Sequence, residues 1–367
     1  MSLSIGIVGL PNVGKSTLFN ALTKKNVLAA NYPFATIEPS VGTVPVPDNR
    51  LHQLAELSGS EKILPAIVEF VDIAGLVKGA ADGEGLGNKF LQNIRETDAI
   101  AQMVRIFEDD DITHVSNKID PLDDIEIINW ELCAADAETI TKHQQKIQKD
   151  VKRNDKDAVQ LDELLKAVLD KLTDNILVTQ QDLSEDDLER LKHLHLLTAK
   201  PFLYILNKQA GGHNLDESDD DGRYHRLLQY FESTGALFVK LDASTEMDIN
   251  EMTNDEKSEM RDDMGIAAGE GIDELIKQGY DLLGLMTYFT TGPIETRGWT
   301  VEKDSTAPIA AGAIHTDFTK NFIRAEVIEW NKLIEAGSRA VARDKGWLRL
   351  EGKDYIVQDG DVIEFKT

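Results

Sequence analysis

Short apolar runs alternate with stretches of helical spacing over the first third of the chain. Leu3-Ser-Ile-Gly-Ile-Val8 reads as a buried strand, and Thr17 to Thr23 as the helix that follows it. Ala66-Ile-Val-Glu-Phe-Val71 is a second strand, ending at Asp72, and Ala99 to Phe107 is a third. Leu86 to Thr97 carries helical spacing between them. Further on, Pro201-Phe-Leu-Tyr-Ile-Leu206 ends at Asn207, Ala236 to Leu241 is another strand, and Gly271 to Leu285 reads as a closing helix. This order predicts an α/β fold with a mostly parallel sheet covered by helices.

The pattern breaks at Leu122. From there to Lys200 the chain has no glycine and no proline. Ile125, Ile128, Leu132 and Ala135 recur at helical spacing, as do Leu161, Leu164, Leu165, Val168, Leu169 and Leu172. Arg153-Asn-Asp-Lys156 supplies a turn between the two series. The expectation is an antiparallel helical hairpin inserted into the α/β domain, followed by shorter helices. From about Leu285 the spacing changes to alternation. Phe322 to Ile328 and Asp354 to Val357 read as strands, and Asp359-Gly-Asp361 as a turn before Val362 to Phe365. This predicts a small, mainly β domain. The acidic stretches 216–221 and 248–263 read as surface loops or short solvated helices.

Composition narrows the function classes. The net charge of −26 excludes nucleic-acid binding by bulk electrostatics and gives no support for sequence-specific DNA recognition. A ribosome or RNA partner would need a local basic face. Two are visible: Lys320 to Arg349, and Lys146, Lys149, Lys152 and Arg153 near the hairpin tip. The apolar runs are too short to span a bilayer, so no membrane partner is expected. The chain enters a strand within a few residues of Met1, and the expectation is no signal peptide. The one cysteine, Cys133, fits a reducing, cytoplasmic setting and reads as a small buried apolar residue.

The chemistry starts at Gly9-Leu-Pro-Asn-Val-Gly14-Lys15-Ser16, which fits G-x-x-x-x-G-K-S/T between a strand and a helix. Backbone N–H groups and the positive helix end converge on such a loop and bind phosphate. Asn12, Val13, Gly14, Lys15, Ser16 and Thr17 would wrap the phosphates of a nucleoside triphosphate. Lys15 would meet the outer phosphates, and the Ser16 hydroxyl would ligate Mg²⁺. Asp72-Ile-Ala-Gly75 matches Asp-x-x-Gly, with Asp72 supporting Mg²⁺ through water and the Gly75 amide on the γ-phosphate. Thr36, in Asn31-Tyr-Pro-Phe-Ala-Thr36, is a second candidate ligand of Mg²⁺. Asn207-Lys-Gln-Ala210 stands where GTPases carry Asn-Lys-x-Asp. Ala210 cannot accept the two hydrogen bonds of guanine, whereas Asn207 could meet the N6/N7 edge of adenine. Asp242-Ala-Ser-Thr245, with Ser244, would form the second base-side wall.

With these motifs the sequence resembles the YchF-type Obg-like ATPases, a P-loop family related to translation factors. Phe107-Glu-Asp-Asp-Asp-Ile-Thr-His114, Gly312 to Phe318 and Leu350 to Asp361 add to the resemblance, which spans the whole chain. The resemblance implies a G domain at 1–121 and 201–282, a helical coiled-coil domain at 122–200 and a C-terminal β-rich TGS domain at 283–367. It implies ATP as substrate and association with ribosomes through the large subunit. It also implies that Phe107 and the Lys208 backbone line the adenine pocket. Read without it, Phe107 is equally a core aromatic at a strand end. The family usually has Asn-x-x-Glu where this chain has Ala210.

The residue after Asp-x-x-Gly is Leu76, which cannot orient water. His114 is the candidate that takes over, and the resemblance points to the same position. Asn12 would hold a K⁺ against the phosphates, or would only fix the loop turn. Three activities stay open at this point: a slow ATPase that is also a switch, a nucleotide-dependent regulator with negligible turnover, and a GTPase. His315 and Asp317 suggest no chemistry and read as structural or interaction residues.

Overall fold

The computed structural model describes residues 3–24, 40–73, 86–109, 119–218, 221–249, 252, 256, 260 and 269–367. The chain divides into two compact units. Among the described residues, the first comprises those of 3–24, 40–42 and 69–275, and the second 43–68 and 276–367.

The first unit follows the expected alternation. β1 (Ser4–Val8) leads to α1 (Lys15–Lys24), then to β2 (Val41–Pro45). After α2 (Asn49–Ser58) and β3 (Lys62–Leu64), which belong to the second unit, come β4 (Ile67–Asp72), α3 (Leu86–Arg95) and β5 (Ala99–Arg105). The third predicted strand stops at Arg105. Phe107–Glu108 leave it as a separate short strand, β6: Ile106 N–H makes the last ladder bond, to the Asn207 carbonyl, and the Ile106 carbonyl accepts from Leu215 N–H instead. β7 (Phe202–Asn207), β8 (His213–Asn214), α7 (Arg223–Thr234) and β9 (Leu237–Leu241) come after the helical insertion. The sheet order is β2-β4-β1-β5-β7-β9. Its pairs β1–β4, β1–β5, β5–β7 and β7–β9 are all parallel. Ile5, Ile7, Phe70, Ile100, Met103 and Ile205 are fully buried, as expected for strands covered on both faces.

The insertion is the predicted hairpin. α4 (Pro121–Lys152) and α5 (Lys156–Thr173) meet at the predicted turn. Asn154 there takes a positive φ of 63°, which asparagine tolerates, and the Asp155 carboxylate caps α5 by accepting from Ala158 N–H at 3.0 Å. Ile140, Leu165, Val168 and Leu172 fill the seam together with Cys133. α6 (Glu185–Lys192) and two short 3₁₀ turns bring the chain back to β7. Asp136 anchors the return. Its buried carboxylate accepts from the backbone N–H of Leu197 and Thr198 and from the Thr198 hydroxyl, at 2.7–2.9 Å. Among the described residues no helix is long and apolar enough to cross a membrane.

The second unit holds another six-stranded sheet. β10 (Leu285–Thr291) and β11 (Glu295–Glu302) pair antiparallel, and β12 (Arg324–Glu329), β13 (Arg349–Glu351) and β14 (Asp361–Lys366) complete it together with β3. The predicted closing helix therefore ends at Leu282, and Leu285 opens a strand. Segment 354–357 is no strand but makes a single bridge, Ile356 to Thr306. Helices at 307–314, 316–321, 330–336 and 339–344 accompany the strands. His315 caps the second of these, its Nδ1 accepting from Asp317 N–H at 3.2 Å, a structural role.

Candidate functional site

The phosphate loop is fixed by its neighbours. A side chain at Gly9 would put its Cβ 2.6 Å from the Met103 carbonyl oxygen on β5. Gly14 has φ +102°, and a Cβ there would stand 2.5 Å from Asn207 Nδ2. Both positions require glycine. Asn12 is exposed and left-handed, with φ 64°, so its identity has a backbone reason. Val13 is buried. Ser16 is exposed and Thr17 half-buried at the start of α1, whose first turn carries no acid to neutralise the positive helix end.

Lys15 is buried, and its Nζ donates to the Leu10 carbonyl at 2.8 Å. Burial pulls its pKa down to about 8, against the opposing attraction of Asp72. Asp72 is half-buried, and burial raises its carboxyl above the usual range while Lys15 partly offsets this. The two groups thus attract one another beside the loop. Ser16 and Asp72 offer oxygen donors, the set that suits Mg²⁺. Thr36, Gly75, Leu76 and His114 lie outside the described residues.

Asn207 makes two hydrogen bonds within the protein. Its Nδ2 donates to the Val13 carbonyl at 2.9 Å, and its Oδ1 accepts from Ala243 N–H at 3.1 Å. Its amide therefore ties the phosphate loop to the start of α8 (Ala243–Ile249), and its second Nδ2 hydrogen is not used by this tie.

A cavity of about 430 Å³ lies beside this tie, lined by Lys208, Gln209, Ala210, Gly211, Asp242, Thr245, Glu246 and Glu270 among others. Ala210 presents only its methyl group as a side chain. Lys208 is anchored by Asp216 at 3.1 Å and Glu217 at 3.3 Å. Asp216, expected in a surface loop, is almost fully buried and also holds Lys240 at 3.1 Å. Ser244 is exposed in the first turn of α8. Phe107 is buried, with the Arg105 guanidinium 4.4 Å from its ring centroid. β6 pairs with β8 through Phe107 and Asn214, and Asn214 lines the cavity.

Asp242, read from the sequence only as part of the base-side wall, is a hydrogen-bonding hub, and three further contributors escaped the sequence reading. Asp242 accepts from Ala210 N–H at 2.7 Å, Ser244 N–H at 2.9 Å, Thr245 N–H at 3.2 Å and the Thr245 hydroxyl at 2.8 Å. Its acceptors are thus spent on the protein. An Asp just before a helix is a legible N-cap signal. Asn214 holds Gln209, accepting from its N–H at 2.9 Å and donating to its carbonyl at 3.0 Å. Gln209 Nε2 in turn donates to Asp109 at 3.0 Å. Arg105, fully buried, donates to the Phe107 and Asp109 carbonyls at 2.8 and 3.0 Å. The last three act through the fold, and no local pattern announces them.

Strand, phosphate loop and helix on a parallel sheet, with an Asn reaching across from β7, define a P-loop NTPase of the G-domain type. Comparison with known proteins agrees. A family model described as a 50S ribosome-binding GTPase matches residues 4–134. A model of the YchF GTPase C-terminal region, described as a protein of unknown function, matches residues 285–367. The ribosome-binding ATPase YchF of Haemophilus ducreyi is 51% identical over 100% of this chain and 99% of its own. That of Bacillus subtilis is 48% identical over the same shares. The solved structure of the Schizosaccharomyces pombe YchF GTPase superimposes with a TM-score of 0.87 at 35% identity, covering 100% of this chain and 98% of that one. The chain belongs to the YchF family.

Proposed function

We propose that this protein is a ribosome-binding ATPase that hydrolyses ATP to ADP and phosphate and acts as a nucleotide-dependent switch in translation or stress regulation. The base-side wall carries this reading. Ala210 offers guanine no acceptor, and the nearby Asp242 carboxylate already takes four hydrogen bonds from the chain. An unpaired guanine edge is costly to bury, whereas adenine lacks the 2-amino group that needs an acid. The relatives named as ribosome-binding ATPases support both the substrate and the partner.

In this reading Lys15 and the loop backbone bind the outer phosphates. The Ser16 hydroxyl, Asp72 through water and Thr36 would hold Mg²⁺, which neutralises charge on the β- and γ-phosphates. The Gly75 amide meets the γ-phosphate. Phe107, Lys208 and Asn207 border the adenine, Asn207 also ties the phosphate loop to α8, and Val13, Gly14 and Thr17 wrap the phosphates. His114 orients the attacking water in place of Leu76, and Asn12 holds a K⁺ beside the phosphates. The domain reading goes with it: a G domain at 1–121 and 201–282, a helical domain at 122–200 and a TGS domain at 283–367, in a cytoplasmic protein.

The test is phosphate release from Mg²⁺-ATP by the purified protein, with and without ribosomes. Slow basal turnover that changes on adding ribosomes is expected. No release from ATP in either condition would overturn the enzyme reading.

A further inference from the structure

The sequence offers two basic regions, and their side chains are used differently. In the C-terminal region most of the cations are spent on neighbouring acids. Arg339 pairs with Glu364 at 2.5 Å, Lys332 with Glu329 at 2.6 Å and Arg343 with Glu326 at 3.4 Å. Arg349 pairs with Glu351 at 3.4 Å and Asp361 at 3.5 Å. That surface is close to neutral wherever these pairs form.

The hairpin tip is not. Residues 142–156 carry six lysines and arginines against Asp150 and Asp155, in a chain whose net charge is −26. Lys142, Lys146, Lys149 and Arg153 are spaced by four, three and four residues along α4 and its cap, which sets them on one helix face. Lys146, Lys149 and Lys152 are exposed and make no ion pair among the described residues. Lys142 leans on Glu138, and Arg153 stands 3.6 Å from Asp150. Three lysines on one short helical segment repel one another, a cost that no ion pair of theirs among the described residues offsets. A polyanion offsets it.

We propose that the tip of the α4–α5 hairpin is the surface that contacts ribosomal RNA, with Lys146, Lys149 and Lys152 seated on backbone phosphates. This rests on the ribosome-binding reading above and assigns that contact a place. The charge is sequence-blind, so the tip reads an RNA surface by its phosphates. The acidic remainder of the chain repels RNA elsewhere and leaves the tip as the oriented point of approach.

The test is co-sedimentation with purified ribosomes over a salt series, comparing the wild type with Lys146→Ala/Lys149→Ala/Lys152→Ala. Alanine is the strongest helix former, so the hairpin keeps its helix, which circular dichroism checks. The variant should bind about a hundredfold more weakly at ~0.1 M salt, and its salt slope should fall by about two to three. Its basal ATP turnover should equal that of the wild type. Equal pelleting and equal salt slope for the two proteins would overturn the tip assignment and leave the ribosome reading standing. No pelleting of the wild type at low salt would overturn the ribosome reading itself. A second arm uses protein-free ribosomal RNA, to which the wild type should bind and the variant should not. Equal binding there, with pelleting lost, would overturn RNA as the partner in favour of an acidic ribosomal protein.

Discussion

ATP affinity should fall as the pH rises through 8. Lys15 is the cause, since burial brings its pKa to about 8 from an ordinary value of 10.5. Bound phosphates replace the lost hydration with negative charge and raise that pKa again, so the complex holds more protons than the free protein. Binding is therefore strongest where Lys15 is already protonated, below pH 8, and weakens above it. With a free-state pKa of about 8, roughly nine-tenths of the lysine is charged at about pH 7 and one-tenth at about pH 9. The expected loss across that interval is about tenfold, or ~1.4 kcal/mol. The last proton of a phosphate leaves near pH 6, below this window, and does not confuse it. Calorimetric titration in two buffers of different ionisation heat reads the linked proton directly. About half a proton should be taken up per ATP near pH 8. No uptake there, with affinity unchanged to about pH 9.5, would refute the placement of Lys15 against the phosphates.

Asn207→Ala strands the Val13 carbonyl and the Ala243 N–H, two buried groups worth about 1–3 kcal/mol each. ATP affinity should drop at least about tenfold and the melting temperature should fall, as titration and a thermal melt would show; unchanged values would mean the tie is idle. His114→Ala should lower turnover while sparing ATP affinity, which steady-state kinetics beside a binding titration separates; an equal loss of both would make the histidine structural. Cys133 is buried with its thiol pushed up to about 12, so it should resist alkylation at pH 8 until the protein unfolds.

Much of this architecture follows from local pattern. The hairpin turn falls at 153–156 because the apolar series on either side cannot continue through it. The strand ends at Asp72 and Asn207 lie where the apolar runs stop. The glycines of the phosphate loop are explained by approaches of 2.5 and 2.6 Å that only the folded chain reveals. What stayed hidden depends on distant partners. β3 gains its strand character by pairing with β11, more than two hundred residues away. Segment 354–357 alternates like a strand, yet β13 already occupies the other side of β12, and the segment makes one bridge to Thr306. Helix 307–314 is apolar all round, so its sequence does not tell the face in the core (Ala307, Ala310, Ala311) from the exposed one (Ile309, Ala313). At the site, Asn207 was recognised by motif, while its tie to Val13 and Ala243 shows only in coordinates.

Competition between ATP and GTP for the purified protein with Mg²⁺ tests the central claim most directly. Ala210 removes the acid that reads guanine, and the four hydrogen bonds on Asp242 keep it from substituting. ATP should bind at least as tightly as GTP, and Ala210→Asp should shift the balance toward GTP. A preference of the wild type for GTP of about tenfold, ~1.4 kcal/mol, would contradict an ATPase built on this pocket.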